Sequence, residues 1–378
     1  MRVSLDVTAV PATPAGAGRY TVELASALAA RTEPKVVVLA RRTDAERWRR
    51  LATGRLDVLA SAPSPRPLRL AWEQLGLPRV LHRVLPDVHH APHYTMPERS
   101  SVPVVVTVHD CTYFDHPEWH EPIKVRLFRR AIRVAARRAG ALVCVSETTA
   151  RELATFCRVD APVVVAPHGV DHARFTPDAP SRGSDDAAIG RLGVDPGCRY
   201  VLFLGTVEPR KDVATLVRAF SALGDDERDL LLVVAGRRGW GTSPVDEALA
   251  ASAHRDRIIW TGYVPDDAVP ALLRNAAVVA YPSLAEGYGL PALEALACGA
   301  PLVTTEGTAM AELAGDAAVL VARSDPDGLA DALAGVLREA GGVAAARRRE
   351  VGLARAASRT WAASAERHVE AYRIASGA

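Results

Sequence analysis

Apolar residues run along this chain in short, nearly continuous blocks, separated by longer stretches in which they recur three and four positions apart. "RVSLDVTAV" (2–10), "KVVVLA" (35–40), "VPVVVTVHD" (102–110) and "GALVCVSE" (140–147) read as buried strands, and "GRYTVELASALAAR" (18–31) as an amphipathic helix. Unbroken apolar runs, as opposed to alternating ones, mark strands covered on both faces, so the pattern predicts βαβ units around a parallel sheet. The second half repeats it with "YVLFLG" (200–205), "LLLVVAG" (230–236), "RIIWTGY" (257–263), "AVVAYPS" (277–283), "PLVTT" (301–305) and "AVLVA" (318–322). Between the halves lies "TPDAPSRGSDDAAIG" (176–190), rich in turn-forming residues and read as a connector. The predicted organisation is an α/β protein with a doubly wound domain over 1–175, a second over 176–358, and a helical tail over 359–378 able to pack back on the first. Two such domains make a cleft between their strand ends, where chemistry is expected.

Two local patterns carry that chemistry. "EGYGLPALE" (286–294) follows the predicted strand 277–283 and places a carboxylate on each side of a glycine turn. Gly287, Gly289 and Pro291 do not suit a helix interior, where Gly costs about 1 kcal/mol and Pro about 3. Pro291 does suit a first helical turn, so Glu286 is expected on a loop and Glu294 about one turn inside a helix. Strand, glycine turn and helix N-terminus together are where open α/β sheets hold anionic ligands. In "LFLGTVEPRKDVATLVRAF" (202–220), Gly205 and Thr206 end a strand, Asp212 is a candidate N-cap, and Arg210 and Lys211 stand before a helix. Two cations beside free N–H groups form a candidate phosphate site.

The first half offers weaker signals. His109 ends a strand in "TVHD" and is either a satisfied structural histidine or a cleft residue. Gly16 and Gly18 in "PATPAGAGRYTVEL" make a glycine turn before a helix, without the full dinucleotide fingerprint.

Composition narrows the classes. With 46 Lys+Arg against 44 Asp+Glu the net charge is +2, which argues against a nucleic-acid-binding protein. Lysine occurs only at 35, 124 and 211, so Lys211 stands out in an arginine-biased chain. Cys111, Cys144, Cys157, Cys198 and Cys298 form no CxxC pair and are expected to be small buried hydrophobes. No run approaches the ~18 apolar residues of a membrane span. "MRVSLDVTAV" leads straight into a strand, so a cytoplasmic location is expected.

Taken together, "EGYGLPALEALACGAPLV", "GTVEPRKD", "TVHD", "GAGRYTVELA" and "PHGVDHARFTP" resemble the retaining glycosyltransferases of family 4, and "HAPHYTMP" followed by "TVHD" and "GTVEPRKD" resembles their branch of bacterial surface-polysaccharide mannosyltransferases. The resemblance implies the GT-B fold, two Rossmann-like domains facing a cleft, with 1–175 on the acceptor side and 176–358 binding the nucleotide sugar. It implies transfer of a hexose from a nucleotide diphosphate sugar, with GDP-mannose as first choice and, as alternatives, a UDP- or dTDP-sugar donor or a nucleotide-sugar epimerase or hydrolase of the same fold. The acceptor would be a carbohydrate, a lipid-linked molecule or a small molecule. By the same carry-over Glu286 lies by the donor sugar hydroxyls, Glu294 accepts from the ribose hydroxyls, and the turn Gly287, Tyr288, Gly289, Leu290 cradles sugar and diphosphate. Arg210 and Lys211 hold the diphosphate, Gly205 and Thr206 line it, Gly16 and Gly18 let the first loop close over it, and His109 touches the sugar. Val264, in "GYVPDD", falls near the base. Thr206 stands where many members have Arg, a role expected of Arg210 here.

No cofactor or catalytic metal is expected, since "DPD" (325–327) precedes a helical run and reads as a cap. "IKVRLFRRAIRVAARRAG" (123–140) is a cationic amphipathic helix, either a peripheral contact with anionic lipid at the inner membrane face or a solvated cover of the sheet.

Overall fold

The computed structural model describes residues 1–51, 56–181, 183–223 and 227–378. These divide into two compact units, one formed by Met1–Gly169 with Trp361–Ala378, the other by Val170–Thr360.

The first unit is a seven-stranded parallel sheet. Its strands are β1 (Arg2–Asp6), β2 (Lys35–Arg41), β3 (Asp57–Ala62), β4 (Val88–Ala91), β5 (Val104–Val108), β6 (Ala141–Cys144) and β7 (Val163–Val165). Their spatial order is β3-β2-β1-β4-β5-β6-β7, so the winding reverses between β1 and β4. The β-branched runs explain the strands: "VVVTV" of β5 is buried throughout, as a sheet covered on both faces requires. Helices cover both faces, Val3, Leu5, Tyr20 and Leu24 packing on one and Ile132, Ala135 and Leu153 on the other.

The C-terminal helix Trp361–Ser376 belongs to this unit, with Ala365, Val369 and Tyr372 in the same apolar cluster as Val3, Leu5 and Val143. A buried polar chain fastens it. His368 Nδ1 donates to the Ser364 carbonyl (2.7 Å), which leaves Nε2 to accept from Tyr20 Oη (2.7 Å). Tyr20 Oη then accepts from Thr107 Oγ1 (2.9 Å), Thr107 from His90 Nε2 (2.8 Å), and His90 Nδ1 from Tyr372 Oη (2.8 Å). Every member is satisfied while both imidazoles are neutral, as buried polar groups require.

The second unit is a six-stranded parallel sheet of β8 (Arg199–Leu204), β9 (Leu230–Ala235), β10 (Ile258–Gly262), β11 (Val278–Tyr281), β12 (Leu302–Thr305) and β13 (Ala318–Val321). Its order is β10-β9-β8-β11-β12-β13, with the reversal between β8 and β11.

The expected connector 176–190 is a correction. It lies inside the second unit, and Ser184–Gly190 is a helix. Asp185 of that helix accepts from Arg274 Nη2 (2.6 Å) and Nε (2.8 Å), and this hydrogen-bonded guanidinium holds its carboxyl below the usual range. The composition reads as loop because the ion pair, and not local propensity, anchors the segment. Arg182 of the connector lies outside the described residues. Cys111, Cys144, Cys157 and Cys298 are buried as expected, while Cys198 is half-buried.

Candidate functional site

Ligands of doubly wound sheets bind beyond the strand C-termini where the winding reverses. In the second unit that point lies between β8 and β11, and the two motifs follow those two strands. After β8 come Gly205, the exposed Thr206 and a short 3-10 turn, Pro209–Lys211, before the helix Val213–Ala222. After β11 comes the glycine turn leading into the helix Leu290–Ala297. The Leu284 N–H donates to the Arg210 carbonyl (2.8 Å), which ties the loops together.

Four charged side chains meet there. Arg210 Nη1 donates to Glu286 Oε2 (2.5 Å), Arg210 Nε pairs with Glu208 Oε1 (2.5 Å), and Lys211 Nζ pairs with Glu286 Oε1. Lys211, Glu208 and Glu286 are buried, with Lys211 only 5% exposed. Burial alone would raise the Glu286 carboxyl; the two cations outweigh it and hold Glu286 down to about 2. Burial draws Lys211 below its ordinary range, against the pull of Glu286. The cations expected to wait for phosphate are thus already neutralised, by Glu286 and by Glu208. Glu208 has no role in the sequence reading, although its place two residues before Arg210 in "VEPRK" is a visible signal.

The turn is built as its sequence requires. Gly289 is the N-cap of Leu290–Ala297 at φ 98, and a Cβ there would run into the Met310 side chain. Pro291 sits in the first turn and Glu294 is buried one turn inside. Tyr288 is buried, Gly287 and Leu290 half-buried. Asp212 occupies the N-cap position of Val213–Ala222 at φ 44, and its carboxylate accepts from the hydroxyls of Thr215 (2.8 Å) and Ser324 (3.2 Å). Val264 is buried in the loop after β10, the edge strand two places from β8. "DPD" is a cap as expected: the Asp325 carboxylate accepts the Gly328 N–H at 2.9 Å, at the head of the helix Pro326–Arg338.

The first unit holds the remaining candidates. Gly16, at φ 48, is the N-cap of the helix Ala17–Ala29, and Gly18 is buried in its first turn against Pro11 and Pro14. His109 follows β5 and donates from Nε2 to the Pro92 carbonyl (2.7 Å), edge-on to Tyr20 and Tyr94. Burial lowers its pKa, so the ring is neutral with Nε2 committed. Tyr94 has a left-handed backbone at φ 58, a strain that clusters at functional sites. The basic stretch is the helix Pro122–Arg138, with Arg126, Arg130, Arg133, Arg137 and Arg138 exposed. Arg129 instead turns back to the carbonyls of Tyr113 (2.6 Å) and Phe114 (3.3 Å). Among the described residues no helix is long and apolar enough to cross a membrane.

Comparisons with known proteins agree with this geometry. A family described as Glycosyltransferase Family 4 matches residues 14–174, and one described as Glycosyl transferases group 1 matches 198–339. The chain is 28% identical over 311 residues to the O-antigen chain mannosyltransferase B of Escherichia coli, a match covering 82% of this chain and 78% of the relative. It is 30% identical over 295 residues to the D-inositol 3-phosphate glycosyltransferase of Nocardia farcinica, covering 74% of this chain and 62% of that one. Among solved structures, sucrose-phosphate synthase from Thermosynechococcus elongatus superposes with a TM-score of 0.79 at 18% identity, over 98% of both chains. The lipopolysaccharide-biosynthesis glycosyltransferase WaaG superposes at 0.74 and 16% identity over the full length of both. The two parallel-sheet units thus have the GT-B fold.

Proposed function

The chain belongs to the family 4 glycosyltransferases, and on that premise we propose that it moves a hexose from a nucleotide diphosphate sugar to an acceptor hydroxyl with retention of configuration. The observation that carries this reading is the Glu208–Arg210–Lys211–Glu286 cluster at the β8/β11 reversal. Mannose from GDP-mannose is the first donor to test, in keeping with the mannosyltransferase relative. The acceptor belongs to polysaccharide, glycolipid or glycosylated natural-product synthesis. The work is done in the cytoplasm, with the exposed arginines of Pro122–Arg138 able to meet an anionic membrane surface.

In this reading the diphosphate draws Arg210 and Lys211 from their carboxylate partners and uses them to offset the charge that develops as the sugar bond breaks. Glu286, released on one side, accepts from donor sugar hydroxyls, and Glu294 from the ribose. The protein supplies this charge itself, so EDTA is expected to leave the rate within about twofold; loss of activity restored by a divalent ion overturns metal independence.

Retention follows if the leaving phosphate takes the acceptor proton, because the acceptor must then approach the face from which the phosphate departs. The neutral His109 ring, with Nε2 held by Pro92, shapes a site and is no obligatory base. With a defined α-linked donor the product is expected to be α-linked, read from its anomeric proton coupling by NMR. A β-linked product rules this mechanism out.

A further inference from the structure

The short turn after β8 holds an acid that the proposed chemistry leaves idle. Glu208 is 9% exposed, and its Oε1 pairs with Arg210 Nε at 2.5 Å while Arg210 Nη1 reaches Glu286. Its carbonyl accepts the Lys211 N–H (3.0 Å), so both cations stand in the turn that Glu208 opens. A glutamine at 208 would accept from Arg210 Nε equally well and cost less to bury, so what the acid adds is charge. That charge acts on both cations. Burial first draws Lys211 below its ordinary range; Glu286 opposes this, and Glu208 adds a smaller pull in the same direction as Glu286.

Arg210 and Lys211 are positive and Glu208 and Glu286 negative, so the charges of the four cancel. Asp212, next in the chain, is engaged by the hydroxyls of Thr215 and Ser324. On the transferase reading two anions of unequal charge use this place in turn. The donor carries one negative charge on each phosphate. Transfer breaks the bond between the sugar and the outer phosphate, whose oxygen keeps the electron pair, takes the acceptor proton and then releases it to water. That phosphate is now terminal and, above its second pKa of ~6, holds one charge more than before. Two uncompensated cations would therefore grip the product more tightly than the donor, and turnover would wait on its release.

We propose that Glu208 is a specificity-determining residue that acts through Arg210: its charge weakens binding of the nucleoside diphosphate product more than binding of the nucleotide sugar donor, and so favours release of the product. The inference rests on the transferase reading above and adds to it which of two ligands the site prefers. Coulomb's law sets the scale. At an effective dielectric of ~20, one extra phosphate charge ~8 Å from a carboxylate, the span of a guanidinium with an anion on each side, changes affinity about 30-fold. Arg210 is the more open of the two cations, and screening by water and salt there reduces the effect to at least about fivefold.

Calorimetry of the full chain at pH 8, with GDP and GDP-mannose and with UDP and UDP-glucose, tests this. For the pair that the wild type binds, the quantity read is the ratio of the two dissociation constants. Glu208→Gln is expected to shift that ratio at least about fivefold toward the diphosphate, and Glu208→Asp, which restores the charge, to stay within about twofold of the wild type. Thr206→Lys adds a cation at an exposed position of the same loop and leaves Glu208 in place, and it is expected to shift the ratio in the same direction. Affinities for both ligands that move together in Glu208→Gln, as loss of a purely structural group would give, overturn the inference. So does a ratio in Thr206→Lys equal to that of the wild type, or Glu208→Asp matching Glu208→Gln, since charge would then not be the cause. A wild type that binds none of the four ligands overturns the transferase reading, and this inference with it.

Discussion

Lys211→Met is expected to lower turnover roughly 100-fold or more, the scale on which removal of one preorganised charge-stabilising donor acts. Lys211 is buried and lies against Glu286, so its ammonium acts with little screening by water. Arg210 is more open, with its side chain 31% exposed, and Arg210→Ala is expected to cost less. Methionine keeps the aliphatic stem, so the loss reports charge more than packing. The substitution also strips Glu286 of a partner, and breaking a buried pair costs about 3–5 kcal/mol. A thermal melt run beside the kinetics separates the effects: Lys211→Met combined with Glu286→Gln should regain stability while turnover stays low. Near-wild-type turnover in both single variants would sink the phosphate assignment.

The second unit was the more legible half. Each of its strands is predominantly apolar, and both motifs lie within one strand–turn–helix step of the β8/β11 reversal. Periodicity does not reveal β3, β4 and β7 of the first unit. "VHHA" of β4 hides two buried histidines, "DVLASA" of β3 lies at a half-exposed edge, and β7 is three residues long. The pairing of Arg210 and Lys211 with Glu286 was equally hidden, because ion pairing between loops 76 and 75 positions apart leaves no local pattern. The polar chain fastening the C-terminal helix spans Tyr20 and His368, far beyond any sequence window.

That chain, with the other buried histidines, predicts that acid undoes the first unit before the second. Burial is the leading cause in each case: it lowers His89 to about 4, His93 to about 3 and His368 to about 4, and holds His90 and His168 well below the ordinary range. In the unfolded chain a histidine titrates near 6.5, so below that pH the unfolded state binds protons the folded state refuses. The stability is therefore fully present above pH 6.5 and lost as pH falls toward 4. Each such group costs about 1.4 kcal/mol per pH unit in that window, so His89, His93 and His368 together remove about 6 kcal/mol between pH 8 and pH 5. Glu73 works in the opposite direction, because its carboxyl, raised to about 7 by burial and then by Asp6, stabilises the fold as pH falls, and returns about 2–3 kcal/mol over the same span. For these four groups the loss is about 4 kcal/mol, which corresponds to a fall of roughly 10 °C for a unit of this size, and His90 and His168 deepen it. The second unit contains only His172 and His254, and its Glu286 stays ionised to about 2, so its melting should hardly move over that range. Calorimetry at pH 8 and pH 5 is expected to show one transition dropping by about 10 °C or more and the other staying within a few degrees. Hydrogen exchange assigns the falling transition to peptides of 1–169 and 361–378; equal shifts in both units would mean that these imidazoles are not buried neutral.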